Sequence, residues 1–219
     1  SPLPDGLTIE ETLTILGKRT QSLVQLQYEI LNQSVVPELK RKGIYLLNFH
    51  ELTNQQKRWA SAYFKNNVLP ILTPLGLDPL HPFPKVLNKS LNFIIEMQGK
   101  DSYGRKGRVA IVQAPRLLSR IIEIPKKNSV TEISFINLSS LIEAHAASIF
   151  PGMEILGIFQ FRVTRNSDLY VDDEEVTDLR QALKGELSQR NYGDAVRIET
   201  DKAISNFCMN YLLREFNLE

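Results

Sequence analysis

The sequence predicts an α+β protein, with an N-terminal helical hairpin followed by a mixed, largely antiparallel sheet domain carrying packed helices. Three observations predict it. At the front of the chain, apolar residues recur at three- and four-residue steps, the period of one helix face. Behind residue 92 they fall instead into short runs separated by turn residues and alternating with helical patterns. Between the two lies Thr73–Asn92, which holds four of the eleven prolines: Pro74, Pro79, Pro82 and Pro84. Each proline fixes its own φ, removes a donor and turns the preceding residue away from the helical region. Neither a long helix nor a central strand runs through such a stretch, so it reads as a rigid, extended connector. It divides the chain into a helical part, 1–72, and an α+β part, 73–219.

Composition narrows the function classes. The 219 residues are 42% hydrophobic and 23% charged, enough to bury a core without staples. A formal charge of +1 gives no global field toward nucleic acid or membrane, so any anion site must come from local clustering. The single cysteine, Cys208, excludes an intramolecular disulfide and fits a reducing compartment. No apolar run approaches the roughly 20 residues of a bilayer span, and no signal peptide opens the chain. The expected location is the cytoplasm. Ser1–Gly6 reads as the cut end of something longer.

The first helix starts at Thr8, with Glu11 at the capping-box spacing and Glu10 beside it to complement the dipole. Leu13, Leu16, Leu23, Leu26, Ile30 and Leu31 form its apolar stripe, which should dock on a neighbour or a partner. Pro37 should kink or break this helix about one turn before Gly43 stops it. A second helix opens at Thr53, again with a capping-box spacing to Gln56, and carries Trp59, Ala60, Tyr63 and Phe64 before ending at Pro70.

In the mixed part, Leu91, Phe93 and Ile95 lie on one strand face and Asn92, Ile94 and Glu96 on the other. Arg108–Gln113 is the next strand, joined through the glycine-punctuated loop Gly99–Gly107. Arg120–Ile124 and Glu132–Ile136 are short strands. Asn137 or Ser139 caps a helix over Leu141–Ile149. Glu154–Thr164 is a strand with Ile155, Phe159, Phe161 and Val163 facing in, and Leu169–Val171 returns after an Asn166-Ser167 turn. Asp172–Glu175 opens a helix to Gln189, Ala195–Glu199 is a strand, and a last helix covers Lys202–Phe216.

No complete catalytic constellation is present. His50, His81 and His145 have no ligand spacing between them, which with one cysteine argues against zinc. Gly99 and Gly104 have the spacing of a phosphate loop, but Arg105-Lys106 follows where Lys then Ser or Thr is required. Lys100, Arg105, Lys106 and Arg108 still gather four cations in nine residues. They read either as a polyanion-attracting loop or as a charged edge protected against aggregation. Asp172–Glu175 reads as capping of a helix start rather than as a magnesium site. Arg162, opposite in direction to Phe161 and Val163, and Arg165, at the strand end, suit bidentate phosphate contacts or pairing with that acidic run.

Two stretches go further. Leu75-Gly76-Leu77-Asp78-Pro79-Leu80-His81-Pro82-Phe83-Pro84 continues to Asn88-Lys89-Ser90-Leu91-Asn92. Phe150-Pro151-Gly152-Met153-Glu154 continues to Phe161-Arg162-Val163-Thr164-Arg165-Asn166-Ser167-Asp168-Leu169, and Tyr192–Glu199 follows. In this order they resemble bacterial polyphosphate kinase, the ATP-dependent four-domain family, and the resemblance runs from about Leu13 to the end.

The resemblance implies the end of a helical N-terminal domain plus the head, or middle, domain. It implies a parent enzyme that reversibly transfers the ATP γ-phosphate to polyphosphate through a phosphohistidine. The phosphohistidine, the magnesium ligands and most nucleotide contacts then lie in C-terminal domains. ATP and magnesium are thus expected for the parent, with no cofactor, metal or catalytic residue in this chain, which alone should be inactive. The expected roles are dimerisation, as a homo-oligomer, and shaping of the active-site tunnel, with His81 bracing the junction. The alternative is an autonomous polyphosphate-binding module using Lys100, Arg105, Lys106, Arg108, Arg162 and Arg165. Nucleic acid is not an expected partner, and membrane association is not indicated.

Overall fold

A computed structural model of the chain describes residues 6–77, 83–99, 108–125, 132–166 and 193–218. The α+β class is observed. The described strands are β1 (Ile44–Leu47), β2 (Thr73–Gly76), β3 (Asn92–Gly99), β4 (Val109–Gln113), β5 (Ile121–Ile124), β6 (Ile133–Asn137), β7 (Met153–Arg165) and β8 (Ala195–Thr200). The α-helices are α1 (Ile9–Ile30), α2 (Val36–Arg41), α3 (Asn54–Tyr63), α4 (Leu138–Ala144), α5 (Ala146–Ile149) and α6 (Asn206–Phe216). The chain forms two compact units, Ser1–Asn48 with Ile122–Ile136, and Phe49–Ile121 with Asn137–Glu219. The first unit thus takes a later stretch of sequence, rather than ending at the connector.

In the first unit, Thr8 caps α1 reciprocally. Its hydroxyl accepts from Glu11 N at 3.2 Å, and the Glu11 carboxylate accepts from Thr8 N at 2.8 Å. The helix then passes through a π turn, Leu31–Val35, in which Val36 N donates to Leu31 O, and continues as α2. Pro37 accounts for the turn. It has no N–H to give to Gln33, and its ring would press on that carbonyl; the wider turn absorbs the mismatch. The expected kink or break takes the form of a change in helical register. Gly43, at φ 78°, ends the helix.

Immediately after Gly43 comes β1, a strand the helical reading of the front end did not include. It lies parallel to β6, with Ile44 opposite Ile133 and Leu47 opposite Ile136, in a sheet of order β1-β6-β5. Gly43 O also accepts from Ile133 N at 2.8 Å, extending the ladder. The α1 stripe stays exposed throughout, from 63% at Leu13 to 41% at Leu31.

The second unit is built on a sheet of order β2-β4-β3-β7-β8 in which each strand is antiparallel to its neighbour. Phe93, Ile94 and Ile95 of β3 and Ala110, Ile111 and Val112 of β4 are all fully buried. The strict in-and-out alternation expected for β3 is overridden because both sheet faces are covered. On one face Ile94, Val109, Ile111, Phe161 and Val163 meet Cys208, Leu212 and Phe216 of α6. On the other, Gln160, in register with Phe93, donates through its amide to Glu143 of α4 at 2.6 Å. β2 lies at the edge, where Pro74, opposite Val112, forfeits no ladder bond.

The helix expected over Leu141–Ile149 begins at Leu138 and is interrupted at His145. There the ring stacks on Phe64 at 4.5 Å, meets Phe49 edge-on at 5.0 Å, and bonds Ser61 Oγ at 2.9 Å and Leu141 O at 2.8 Å. His145 therefore joins α4 to α3, whose start is fixed by the expected Thr53–Gln56 capping box. The last helix is capped by Ser205, whose hydroxyl accepts from Cys208 N at 3.2 Å. The strand Leu169–Val171, the helix Asp172–Gln189, the tip of the Gly99–Gly107 loop and His81 lie outside the described residues.

Two stability tests follow from this packing. Burial pushes the Glu143 carboxyl above the usual carboxylate range; the Gln160 bond opposes the shift, and the Asp201 charge adds to it. The folded chain thus binds more protons than the unfolded one in the window above the ordinary carboxylate pKa, and stability falls as pH rises through it. Glu143→Gln should raise Tm at about pH 7, with the gain vanishing by about pH 4 in a thermal melt series. A Cβ added at Gly193 would collide with the carbonyl oxygen of Asn166. Gly193→Ala should cost about 1–3 kcal/mol in denaturant unfolding.

Candidate functional site

The segment from Phe83 to Leu91, here called the strap, belongs to no strand or helix and turns at Asn88 and Lys89; at its end Leu91 O accepts from Ala114 N at 3.1 Å. Its backbone acceptors must still be satisfied, because Val86 is fully buried. Side chains supply the donors. Gln113 Nε2 gives to Lys85 O at 3.0 Å, Arg165 Nε to Val86 O at 3.0 Å, and Arg116 Nη2 to Asn88 O at 2.8 Å. Ser90 Oγ gives to Leu87 O at 2.8 Å. In return the Asn88 side chain accepts from Arg165 N at 3.0 Å, and Lys89 N donates to Val163 O at 2.8 Å. Asn92, wholly buried, uses its amide on Ser90 O at 2.9 Å and Ser90 Oγ at 3.0 Å.

Lys89 holds φ at 54°, a left-handed conformation with a steric cost for any side chain. It occupies the turn closed by Ser90 N on Leu87 O at 3.2 Å, and the turn presents its exposed ammonium outward from the strap. Phe83 anchors the start of the segment against Phe216 at 5.3 Å and Tyr211 at 6.3 Å.

Of the six cations read from the sequence as phosphate contacts, Lys100, Arg105 and Lys106 lie outside the described residues. The other three do not converge on one point by any direct contact. Arg108 stacks over the Phe207 ring at 4.0 Å. Arg162 grips Glu199, with Nη2 at 2.6 Å and Nε at 2.8 Å from the same carboxylate oxygen, and Arg197 takes the other oxygen at 3.1 Å. Two guanidinium groups on one carboxylate leave a local excess of positive charge. Arg165 turns inward: besides Val86 O it donates to Gly193 O at 2.8 Å, and it lies 5.5 Å from the Phe216 ring. Burial pushes its pKa down, and the Asp194 charge works against that shift.

Two arginines on the β4–β5 connection escaped the sequence reading. Arg116 uses one of its donors on the strap, while Arg120 reaches Ala114 O through Nη2 at 3.3 Å and leaves Nη1 buried without a partner. The signal was present as Pro115-Arg116 followed by Arg120, two cations in a turn with no acid between them.

Two groups able to do covalent chemistry, His145 and Cys208, are engaged in the packing. Both ring nitrogens of His145 are in hydrogen bonds, and burial pushes the Cys208 thiol up in pKa. Among the described residues no group of three or more His, Cys, Asp or Glu side chains could hold a metal ion, and no helix is long and apolar enough to cross a membrane. The described part of the site can bind and brace, through guanidinium and amide donors. Replacing Arg165 by Met should strip Val86 O and Gly193 O of their donors and cost about 2 kcal/mol in urea unfolding. Arg165→Lys should recover only part of that, since one ammonium cannot span both carbonyls as the fork does.

A family model described as the polyphosphate kinase middle domain matches residues 55–219. The polyphosphate kinase of Pseudomonas aeruginosa is 46% identical over 214 residues, covering 98% of this chain and 31% of that protein. The polyphosphate kinase of Burkholderia multivorans is 44% identical over 215 residues, with 98% and 31% covered. The chain therefore spans about a third of the length of these relatives. The crystal structure of the polyphosphate kinase from Porphyromonas gingivalis shares the fold, with a TM-score of 0.69 at 18% identity over 97% of this chain and 31% of that one. With residues 55–219 matched to the middle domain, the chain belongs to the polyphosphate kinase family.

Proposed function

We propose that this chain is a non-catalytic portion of a kinase that moves the terminal phosphoryl group of ATP to polyphosphate, and back, through a phosphohistidine. A covalent intermediate of that kind splits one difficult transfer into two. In the whole enzyme ATP supplies the phosphoryl group, and magnesium offsets its charge. The described residues here offer neither a metal cage nor an unengaged buried base, and no step is assigned to them. Their work is to shape the passage around the active site and to pair chains about a twofold axis.

The observation that carries this reading is the match of residues 55–219 to the middle domain, in relatives of which the chain covers 31%. The packing is in keeping with a scaffold role: β3 and β4 are buried on both faces, and side-chain bonds fix the strap against β4 and β7. Incubated with ADP, long-chain polyphosphate and magnesium, the purified chain should form no ATP above background. Turnover that disappears on chelation would overturn the non-catalytic assignment. Light scattering over a concentration series should show a dimer, and a strict monomer at the highest concentration would remove the pairing role.

A further inference from the structure

We propose that Arg116 and Arg120, on the turn between β4 and β5, form a binding site for a phosphate oxyanion, with Lys89 of the adjoining strap at its rim. The site's chemistry rests on the arrangement of the two arginines; the choice of a phosphoanhydride chain as occupant rests on the polyphosphate kinase reading.

Three observations lead there. The first is an incomplete hydrogen-bond inventory. Arg120 has five N–H donors, yet among the described residues its guanidinium makes a single long bond, 3.3 Å to Ala114 O, and Nη1 is buried with no acceptor. A buried charged donor without a partner costs free energy that folding alone does not repay. The second is the sign of its surroundings. Among the described residues neither arginine is ion-paired with a carboxylate, whereas Arg162 and Arg197 share one. The Arg120 pKa is pushed down by burial first and then by the Arg116 charge, the behaviour of a cation facing a cation. The third is how the pair is held. Arg116 is exposed and tied at one nitrogen to Asn88 O, so its remaining donors are available. Lys89 is the next residue after Asn88, in a left-handed turn, and is itself exposed.

An oxyanion supplies what is missing. Guanidinium groups take phosphate oxygens in pairs of parallel bonds, and two of them offset a doubly charged group. Because Nη1 of Arg120 is enclosed, occupancy requires its guanidinium to turn outward and give up the bond to Ala114 O, which at 3.3 Å is long for a hydrogen bond. Arg116 can keep its bond to Asn88 O while binding, which ties the occupied site to the strap. The neighbouring Leu117 side chain is 84% exposed on the same turn.

The test is calorimetric titration of the 219-residue chain with tripolyphosphate, and separately with ADP, each over a range of salt concentrations. Wild type should bind at least one of the two at low salt. Arg116→Gln and Arg120→Gln should each weaken that binding about tenfold or more. Each should also lower the slope of log affinity against log salt by about one. Arg116→Lys should restore most of the salt slope but only part of the affinity, which a purely structural role would not do. Preference for tripolyphosphate identifies a phosphoanhydride chain as the occupant, and preference for ADP identifies a nucleotide's terminal phosphates. If Arg120→Gln fails to fold, the exposed Arg116→Gln, checked by thermal unfolding, decides the matter alone. Binding of neither ligand, or unchanged affinity and salt slope in folded Arg116→Gln, overturns the site. None of these results depends on whether the chain synthesises ATP, so the site and the non-catalytic assignment can fail separately.

Discussion

An extended peptide that lies against a sheet without joining it leaves its carbonyl oxygens without ladder partners, and burial makes each of them costly. The second unit is arranged around that constraint. Pro84 keeps the start of Phe83–Leu91 out of a helix, and the buried Val86 keeps the segment out of water. The donors must therefore come from side chains on neighbouring elements. Gln113 at the end of β4, Arg116 just beyond it and Arg165 at the end of β7 each reach a different carbonyl of the segment. The ends of β4 and β7 are thereby fixed to one piece of backbone, although the two strands are not sheet neighbours.

This division of labour separates the cations by what they face. Arg165 spends its fork on two backbone carbonyls and sits near an aromatic ring, so its charge is part of the packing. Arg162 and Arg197 spend theirs on Glu199, a partly exposed arrangement in which solvent screens much of the attraction. Arg108 sits over the Phe207 ring, where a cation gains from the ring face. Which of these cations has donors left for an anion is thus not a matter of counting basic residues. It turns on which of them already have an acceptor.

Local features were legible in the sequence, and relations between distant residues were not. The capping boxes at Thr8 and Thr53 follow from three-residue spacings, and both form as read. Phe161 and Val163 point inward and Arg162 outward, as alternation along one strand requires. By contrast β1 is four residues long and directly follows a helix, and its pairing partner lies near residue 133, so nothing nearby in the chain announces it. The run Phe93-Ile94-Ile95 could have warned that β3 is covered on both faces, since continuous apolar strands occur where alternation is not needed. The strap bonds link Arg116 to Asn88 and Arg165 to Val86 across 28 and 79 residues, separations at which no spacing rule operates. His145 falls inside the helix expected over Leu141–Ile149, and its place at the break between two short helices depends on Phe64 and Ser61, about 80 residues away in the chain.

The π turn before Pro37 inserts one residue into an otherwise continuous rod. One extra residue per turn rotates everything that follows it by roughly the angle between successive side chains of an α-helix. Counted at that angle, the half-buried Val36 and Leu39 of α2 fall back toward the side of the rod that carries the Leu13–Leu31 stripe, from which an uninterrupted α-helix would turn them away. A single proline thereby lengthens the apolar side of the rod rather than ending it.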